Sequence, residues 1–220
     1  MSKHNVFPTE ELNQRLSNVR SQMAEANVDG VVITIPENIY YLTELDHWGF
    51  FACHLLVVPR EGGMILVCRA MERITIENQV KNARFFGHAD HEDPADYIVL
   101  ALSELGLLNS RIGMEKSSLF LTARLAESIQ AKTPKVEWHD TSNLVSALRM
   151  VKSPLEMEYV RKAAKAADAG MLAAINATRD GASDYEVSAE CSRAMILAGS
   201  EYPGFGPCLL YTSPSPRDRG

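Results

Sequence analysis

The feature that most limits the fold is an alternation of strand-sized apolar runs with helix-period segments, which continues to about residue 150 and then stops. Strands are predicted at residues 31–35, 50–59, 64–69, 84–87, 111–115 and 136–139. Helices are predicted at residues 9–26, 70–80, 94–105 and 122–131, with a short element at 39–43. A glycine pair at 62–63 joins two of the strands into a hairpin. This alternation is typical of an α/β sandwich with a mostly buried, mixed sheet.

Two helix-start patterns follow residue 150 with no strand between them. Ser153 and Glu156 form one capping box, with a proline at the first helical position, and Ser183 and Glu186 form a second. The first helix should run to about residue 177 and the second to about 198. The apolar stripe predicted for the first helix is Leu155, Tyr159, Ala163, Ala167 and Met171. We therefore expect one domain at 1–150 and the start of another at 151–207.

Charge and composition exclude several classes of protein. The chain carries 22 basic and 28 acidic residues, a net charge of −6, with no basic stripe that could bind nucleic acid through its phosphates. Its apolar runs are too short to span a bilayer, and no apolar segment of the signal-peptide kind follows the polar start. Four scattered cysteines without a CxxC pair indicate a reducing compartment, so a cytoplasmic location is expected.

Short sequence motifs do not indicate a particular kind of catalysis or cofactor for this chain. The chain has no GxSxG, Walker or HExxH motif, and no glycine-rich turn of the doubly wound dinucleotide-binding kind. Residues 88–93 (HADHED) contain enough ligand types for a metal ion. We interpret them instead as a solvated loop leading into a helix that Asp93 caps, because four ligands rarely converge from one loop. No metal site is predicted in this chain.

Four passages together resemble the creatinase/prolidase/aminopeptidase P superfamily. Residues 148–164 are similar to its R-x-x-K-S-x-x-E junction between an N-terminal α/β domain and a pita-bread catalytic domain. Residues 38–43 (NIYYLT), 112–115 (IGME) and 181–187 (GASDYEV) are similar to three further motifs of the family, in the family's order. The resemblance implies a creatinase-type N-terminal domain followed by the first two pita-bread helices. Residues 46–51 (DHWGFF) look most like the creatinase and ectoine-hydrolase branch.

The family resemblance implies a parent enzyme that hydrolyses C–N bonds as a homodimer. Its substrates would be Xaa-Pro peptides, creatine-like guanidino acids or ectoine-like cyclic amidines. Peptidase members hold two divalent metal ions (Mn, Co or Zn), which polarise a carbonyl and supply hydroxide, whereas the creatinase branch uses a histidine without metal. Both kinds of catalytic group belong to the pita-bread domain beyond residue 207, so this chain alone should be inactive. The alternative is a non-catalytic peptide- or protein-binding module of the same fold.

Three residues are candidates for a substrate pocket or a dimer loop: His47, Trp48 and His54. They follow the NIYYLT element, in a region that in the family reaches the partner subunit's active site. Aromatic side chains are enriched at pockets and interfaces. The other interpretation is ordinary packing with some surface exposure.

The last residues differ from everything before them. Residues 208–218 (CLLYTSPSPRD) match, codon by codon, the translation of a transposase adapter used in sequencing libraries. Arg219 and Gly220 would come from the index that follows the adapter, so we interpret 208–220 as foreign sequence and expect the natural sequence to continue differently after Pro207. The other interpretation is a natural Ser/Pro-rich terminus.

Overall fold

Residues 6–201 are described by a computed structural model, which gives the backbone but not the side chains of Trp48 and Phe50. The helices are α1 (Thr9–Glu25), α2 (Pro36–Thr43), α3 (Arg73–Gln79), α4 (Pro94–Glu104), α5 (Ala123–Lys132), α6 (Leu144–Met150), α7 (Pro154–Ala177) and α8 (Asp184–Leu197). The strands are β1 (Gly30–Ile33), β2 (Leu55–Pro59), β3 (Met64–Arg69), β4 (Ala83–His88), β5 (Arg111–Met114) and β6 (Glu137–Asp140). Two short 3₁₀ helices span Trp48–Phe51 and Ala70–Glu72. The predicted adapter segment, 208–220, lies outside the described residues.

All six strands form one sheet in the order β4-β3-β2-β1-β5-β6. Strand β2 runs antiparallel to both of its neighbours, β1 and β3, while the β1–β5, β3–β4 and β5–β6 pairs are parallel. The predicted α/β class with a mixed sheet and a β2–β3 hairpin is confirmed. Parallel pairs need crossover connections, which here are the helices between the strands.

The central strands are buried on both faces because successive side chains point to opposite sides of a strand. In β2, Leu56 and Val58 face a core that includes Val19 and Met23 of α1. Leu55 and Val57 face a second core with Ile98 and Leu102 of α4 and Ile129 of α5. The part of the chain that contains the sheet, up to Val151, thus has three layers, with a helix layer on each side of the sheet.

Several predicted boundaries were wrong for identifiable reasons. The strand predicted at 50–59 begins only at Leu55, because Trp48–Phe51 form a 3₁₀ helix instead. Helix α2 begins at Pro36 rather than at residue 39, since proline fits the first helical position. Helix α6 was not predicted at all. Asp93 caps α4 as predicted, its side chain accepting from the Ala95 N–H.

The chain divides into two compact units, with the division after Val151. In the second unit, α7 and α8 pack against each other, and both predicted capping boxes are present. In α7 the predicted stripe was wrong at Ala163, Ala167 and Met171, which are exposed, whereas Leu155 and Tyr159 are half-buried. The residues that α7 buries are Ala166, Gly170 and Ala177, and a Cβ on Gly170 would lie 3.3 Å from the Cys191 carbonyl oxygen of α8.

Large apolar side chains remain exposed in this second unit. Met171 and Ile175, one helical turn apart on α7, are 62% and 60% exposed, and Leu197 at the end of α8 is 71% exposed. No helix among residues 6–201 combines the length and apolarity needed to cross a membrane.

Candidate functional site

The segment 46–54 links α2 to β2 across one end of the sheet. Leu56 near the start of β2 pairs with Ile33, the last residue of β1, and Leu55 pairs with Val67 near the end of β3. The carboxyl ends of β1 and β3 therefore lie beside the point where this segment enters the sheet. In mixed α/β sheets, carboxyl strand ends are where side chains from several loops meet.

His47 and His54 come together at this edge. Their Nε2 atoms are 2.9 Å apart and their ring centroids 4.8 Å apart. His54 is only 4% exposed, and its Nδ1 lies 3.1 Å from the Ala52 carbonyl oxygen. His47 begins the 3₁₀ helix, where its Nδ1 lies 3.1 Å from the Gly49 nitrogen. Two of the three predicted candidates thus form one contact pair. The third, Trp48, lies between them in sequence, and its side chain is outside the described residues.

The hydrogen-bond partners assign the proton positions of the neutral pair. A carbonyl oxygen only accepts, so His54 carries its proton on Nδ1 and donates it to Ala52. Its Nε2 must then accept, so His47 carries its proton on Nε2. The Nδ1 of His47 is left as an acceptor, and the Gly49 N–H donates to it. All four ring nitrogens are used in this arrangement.

Glu72 completes the cluster from the 3₁₀ turn after β3. Its Oε2 is 3.3 Å from the His47 Nδ1, and both side chains are mostly buried. A Cβ at Gly49 would lie 2.7 Å from Glu72 Oε1 and 2.6 Å from the His47 Nδ1, so a side chain there would force one of these two groups to shift. Sequence reasoning missed Glu72, since nothing in its spacing connects it with a histidine 25 positions earlier.

The start of the segment is held by Gln79 of α3, which is also buried. The Asp46 N–H donates to the Gln79 Oε1 at 2.8 Å, and the Gln79 Nε2 donates to the Asp46 carbonyl at 2.9 Å. Because both backbone groups of Asp46 are bound, the segment leaves α2 in a fixed direction. The contact between His47 and His54 then joins the second and the last residue of the segment.

Burial keeps the two imidazoles neutral. The pKa of His54 is lowered to about 4, mainly by burial and to a smaller extent by the nearby His47, His88 and Arg69, while the contact with the Ala52 carbonyl opposes the shift. Burial also lowers the pKa of His47, and this is offset only in part by the charge and hydrogen bonding of Glu72 and by the charge of Asp46. The two rings therefore differ in how easily they take a proton.

The acidic loop at 88–93 is a structural cap rather than a ligand cluster. Glu92 accepts hydrogen bonds from the Ala89 N–H and the Tyr97 hydroxyl. Asp93 pairs with Lys132 at 2.8 Å, and this contact, the Ala95 N–H and Ser128 lower the pKa of Asp93 to about 2. Across residues 6–201, no group of three or more His, Cys, Asp or Glu side chains is placed to hold a metal ion.

Three of the family-like motifs meet in a buried network. Glu115, which is 1% exposed, accepts from the Thr34 and Ile35 N–H groups at 2.6 and 2.7 Å and from the Asn38 Nδ2 at 2.5 Å. The Oδ1 of Asn38 accepts in turn from Arg149 at 2.8 Å. The network ties the ends of β1 and β5 to α2 and α6. These motif residues thus hold the sheet edge together.

Comparison with models of known protein families shows which family the chain resembles. A family model described as the Creatinase/Prolidase N-terminal domain matches residues 15–151.

The chain belongs to this family. Among curated relatives, the putative dipeptidase YkvY of Bacillus subtilis is 28% identical over 94% of this chain and 56% of its own length. The creatinase of a Bacillus species is 26% identical over 86% of this chain and 46% of its own, and the ectoine hydrolase of Halomonas elongata 29% over 72% and 42%.

Solved structures agree on the fold of this creatinase/prolidase N-terminal domain. The Xaa-Pro dipeptidase from Bacillus anthracis superposes with a TM-score of 0.73 at 22% identity, covering 88% of this chain and 51% of that one. The chain therefore spans about half the length of the relatives and structures that it matches. The predicted creatinase-type fold is confirmed, including the two helices that follow the sheet.

Proposed function

We propose that this chain is the N-terminal part of a C–N bond hydrolase, in which the α/β unit shapes the substrate pocket and the catalytic groups lie in a following domain. The observation that carries the proposal is the alignment of 94% of this chain with only 56% of a putative dipeptidase, together with similar partial coverage of a creatinase and an ectoine hydrolase. Candidate substrates are accordingly Xaa-Pro dipeptides, creatine-like guanidino acids and ectoine-like cyclic amidines. The enzyme would act in the cytoplasm as a homodimer.

The described residues do not supply the two-metal centre that the peptidase members of the family use. No suitable cluster of ligands is found within residues 6–201. What this part of the chain offers is the segment 46–54, held at the sheet edge by Gln79 and by the His47–His54 pair. We propose that His47, Trp48 and His54 line the substrate pocket or the dimer contact from this segment.

The test is to recover the gene region from the source DNA, express the longer product, and assay it on one substrate of each class. We expect the longer protein to hydrolyse one class and the 220-residue chain to hydrolyse none. Loss of activity with a chelator, restored by Mn, Co or Zn, would indicate peptidase-type chemistry. Turnover by the 220-residue chain would refute the proposal, and a longer protein that binds peptides without cutting them would favour the binding-module alternative.

The role of the segment is tested in the longer protein by Trp48→Ala, with Leu119→Ala as the control. Leu119 is 94% exposed, so its truncation should leave the kinetics unchanged. We expect Trp48→Ala to change KM at least severalfold. Equal kinetics for the two variants would exclude the segment from the pocket. Sedimentation of the same proteins measures the proposed homodimer.

A further inference from the structure

The Nδ1 atom of His47 has two neighbours that need opposite proton states. The Gly49 N–H, 3.1 Å away, requires an acceptor there. The Glu72 carboxylate, 3.3 Å away on the same nitrogen, requires a donor. Only one of these hydrogen bonds can exist at a time. With neutral His47 the Glu72 oxygen faces a lone pair, whereas with protonated His47 the Gly49 N–H loses its partner.

The contact between the rings sets a limit on the number of protons. One shared hydrogen on the 2.9 Å line between the His47 and His54 Nε2 atoms satisfies both. If both rings were fully protonated, two N–H donors would point at each other across that distance. The pair therefore accommodates one added proton, on the outer nitrogen of His47, and not two.

We propose that the contact between His47 and His54 holds the segment 46–54 closed and is controlled by protonation; we call this contact the clasp. One added proton turns the His47 Nδ1 from the Gly49 amide to the Glu72 carboxylate, and a second proton, on His54, opens the clasp. Both steps need only protons from the solvent. The inference goes beyond the proposed hydrolase function and does not depend on it, because it concerns only the packing of this segment.

The surrounding charges fix the order in which the two protons bind. His47 faces the carboxylates of Glu72 and Asp46, which favour its charged form. His54 faces His47, His88 and Arg69, whose positive charges oppose protonation there. Desolvation disfavours charge on both rings, but only His47 has a carboxylate in contact to offset it. The first proton therefore goes to His47.

The test is a pH titration of the ¹⁵N-labelled 220-residue chain, following the imidazole nitrogens and the Gly49 amide by NMR. At pH 8 we expect a protonated Nε2 on His47 and a protonated Nδ1 on His54. On acidification the His47 Nδ1 should gain its proton first. Over the same midpoint, the exchange protection of the Gly49 amide should fall roughly fivefold, the factor that one hydrogen bond of ordinary net strength is worth.

A matched pair of variants isolates the carboxylate. Glu72→Gln keeps the shape of the side chain and removes its charge, so the His47 midpoint should fall by about one pH unit. Glu77→Gln removes an exposed carboxylate five residues further along the chain and should leave the midpoint in place. The clasp is overturned if the two variants share one midpoint, or if His54 takes the first proton. If Glu72→Gln does not fold, the Gly49 response in the unaltered chain decides alone.

Discussion

Removal of the Glu115 side chain should be among the most destabilising changes in the α/β unit. The carboxylate is buried, and its two oxygens accept from two backbone N–H groups and from the Asn38 amide. Glu115→Ala would leave these three donors without their acceptor. A buried donor that loses its partner costs about 1–3 kcal/mol, and water entering the vacated space would recover part of the loss. We expect the free energy of unfolding to fall by about 3–5 kcal/mol.

Glu115→Gln provides the graded comparison. Its carbonyl oxygen can still accept from Thr34 and Ile35, but its NH₂ group would face the Asn38 NH₂, which Arg149 holds in place through the other amide atom. Burial raises the pKa of Glu115, although its four N–H and O–H contacts offset part of the rise. Removing the charge therefore relieves some desolvation. The loss should be about 1–2 kcal/mol, smaller than for alanine.

Urea unfolding followed by tryptophan fluorescence measures both variants, since Trp138 in β6 lies within the α/β unit. Glu104→Ala is the surface control, because it removes an exposed ion pair with Arg84 and should change the free energy of unfolding by no more than about 0.5 kcal/mol. The reasoning is refuted if Glu115→Ala costs less than 1 kcal/mol. It is also refuted if the glutamine variant is as unstable as the alanine variant.

Three further predictions follow from the packing. Burial lowers the pKa of His54 from 6.5 to about 4, so between pH 6.5 and pH 4 the unfolded chain binds more protons than the folded chain. The free energy of unfolding should therefore drop by about 3 kcal/mol from pH 6.5 to pH 4. The drop should be smaller in the variant H54Q. Gly113→Ala should cost about 1–3 kcal/mol, since its Cβ would lie 2.9 Å from Val31 Cγ1. Gly63→Ala, whose Cβ would have nothing within 4 Å, should be nearly neutral in the same urea unfolding experiment. Replacing both Met171 and Ile175 by lysine should raise the solubility of this chain without lowering its Tm, because both side chains are exposed; a lower Tm would contradict their exposure.

Local patterns were enough for most of the elements. The capping boxes at Ser153 and Ser183 and the Asp93 cap rest on hydrogen bonds within three residues, so the sequence predicts them directly. The 50–59 prediction failed because a run of apolar and aromatic residues does not distinguish a strand from a 3₁₀ turn. There the His47 side chain accepts from the Gly49 N–H and starts the turn.

The sequence also named two residues of the candidate site, whose role in a pocket or dimer loop stays a prediction. His47 and His54 were named from their place after a family-like motif, and the structure brings them into contact. The contacts of Glu72 and Gln79 with this segment could not be predicted from the sequence, because they form only when β3 and α3 fold back beside it. Similarity of short motifs shows which segment of the chain to consider. It does not show which side chains from distant parts of the sequence contact that segment.

What the sequence by itself determined is therefore the class of fold, the helix starts and the family resemblance, since these depend on periodicity, caps and short motifs read along the chain. Only the tertiary structure decided why the motifs occur together: Asn38, Glu115 and Arg149, far apart in sequence, share one buried network. The tertiary structure likewise decided the protonation of His47, because a buried ring must find a partner for every nitrogen. Two of those partners, Gly49 and His54, lie in its own segment, and the third, Glu72, comes from the turn after β3.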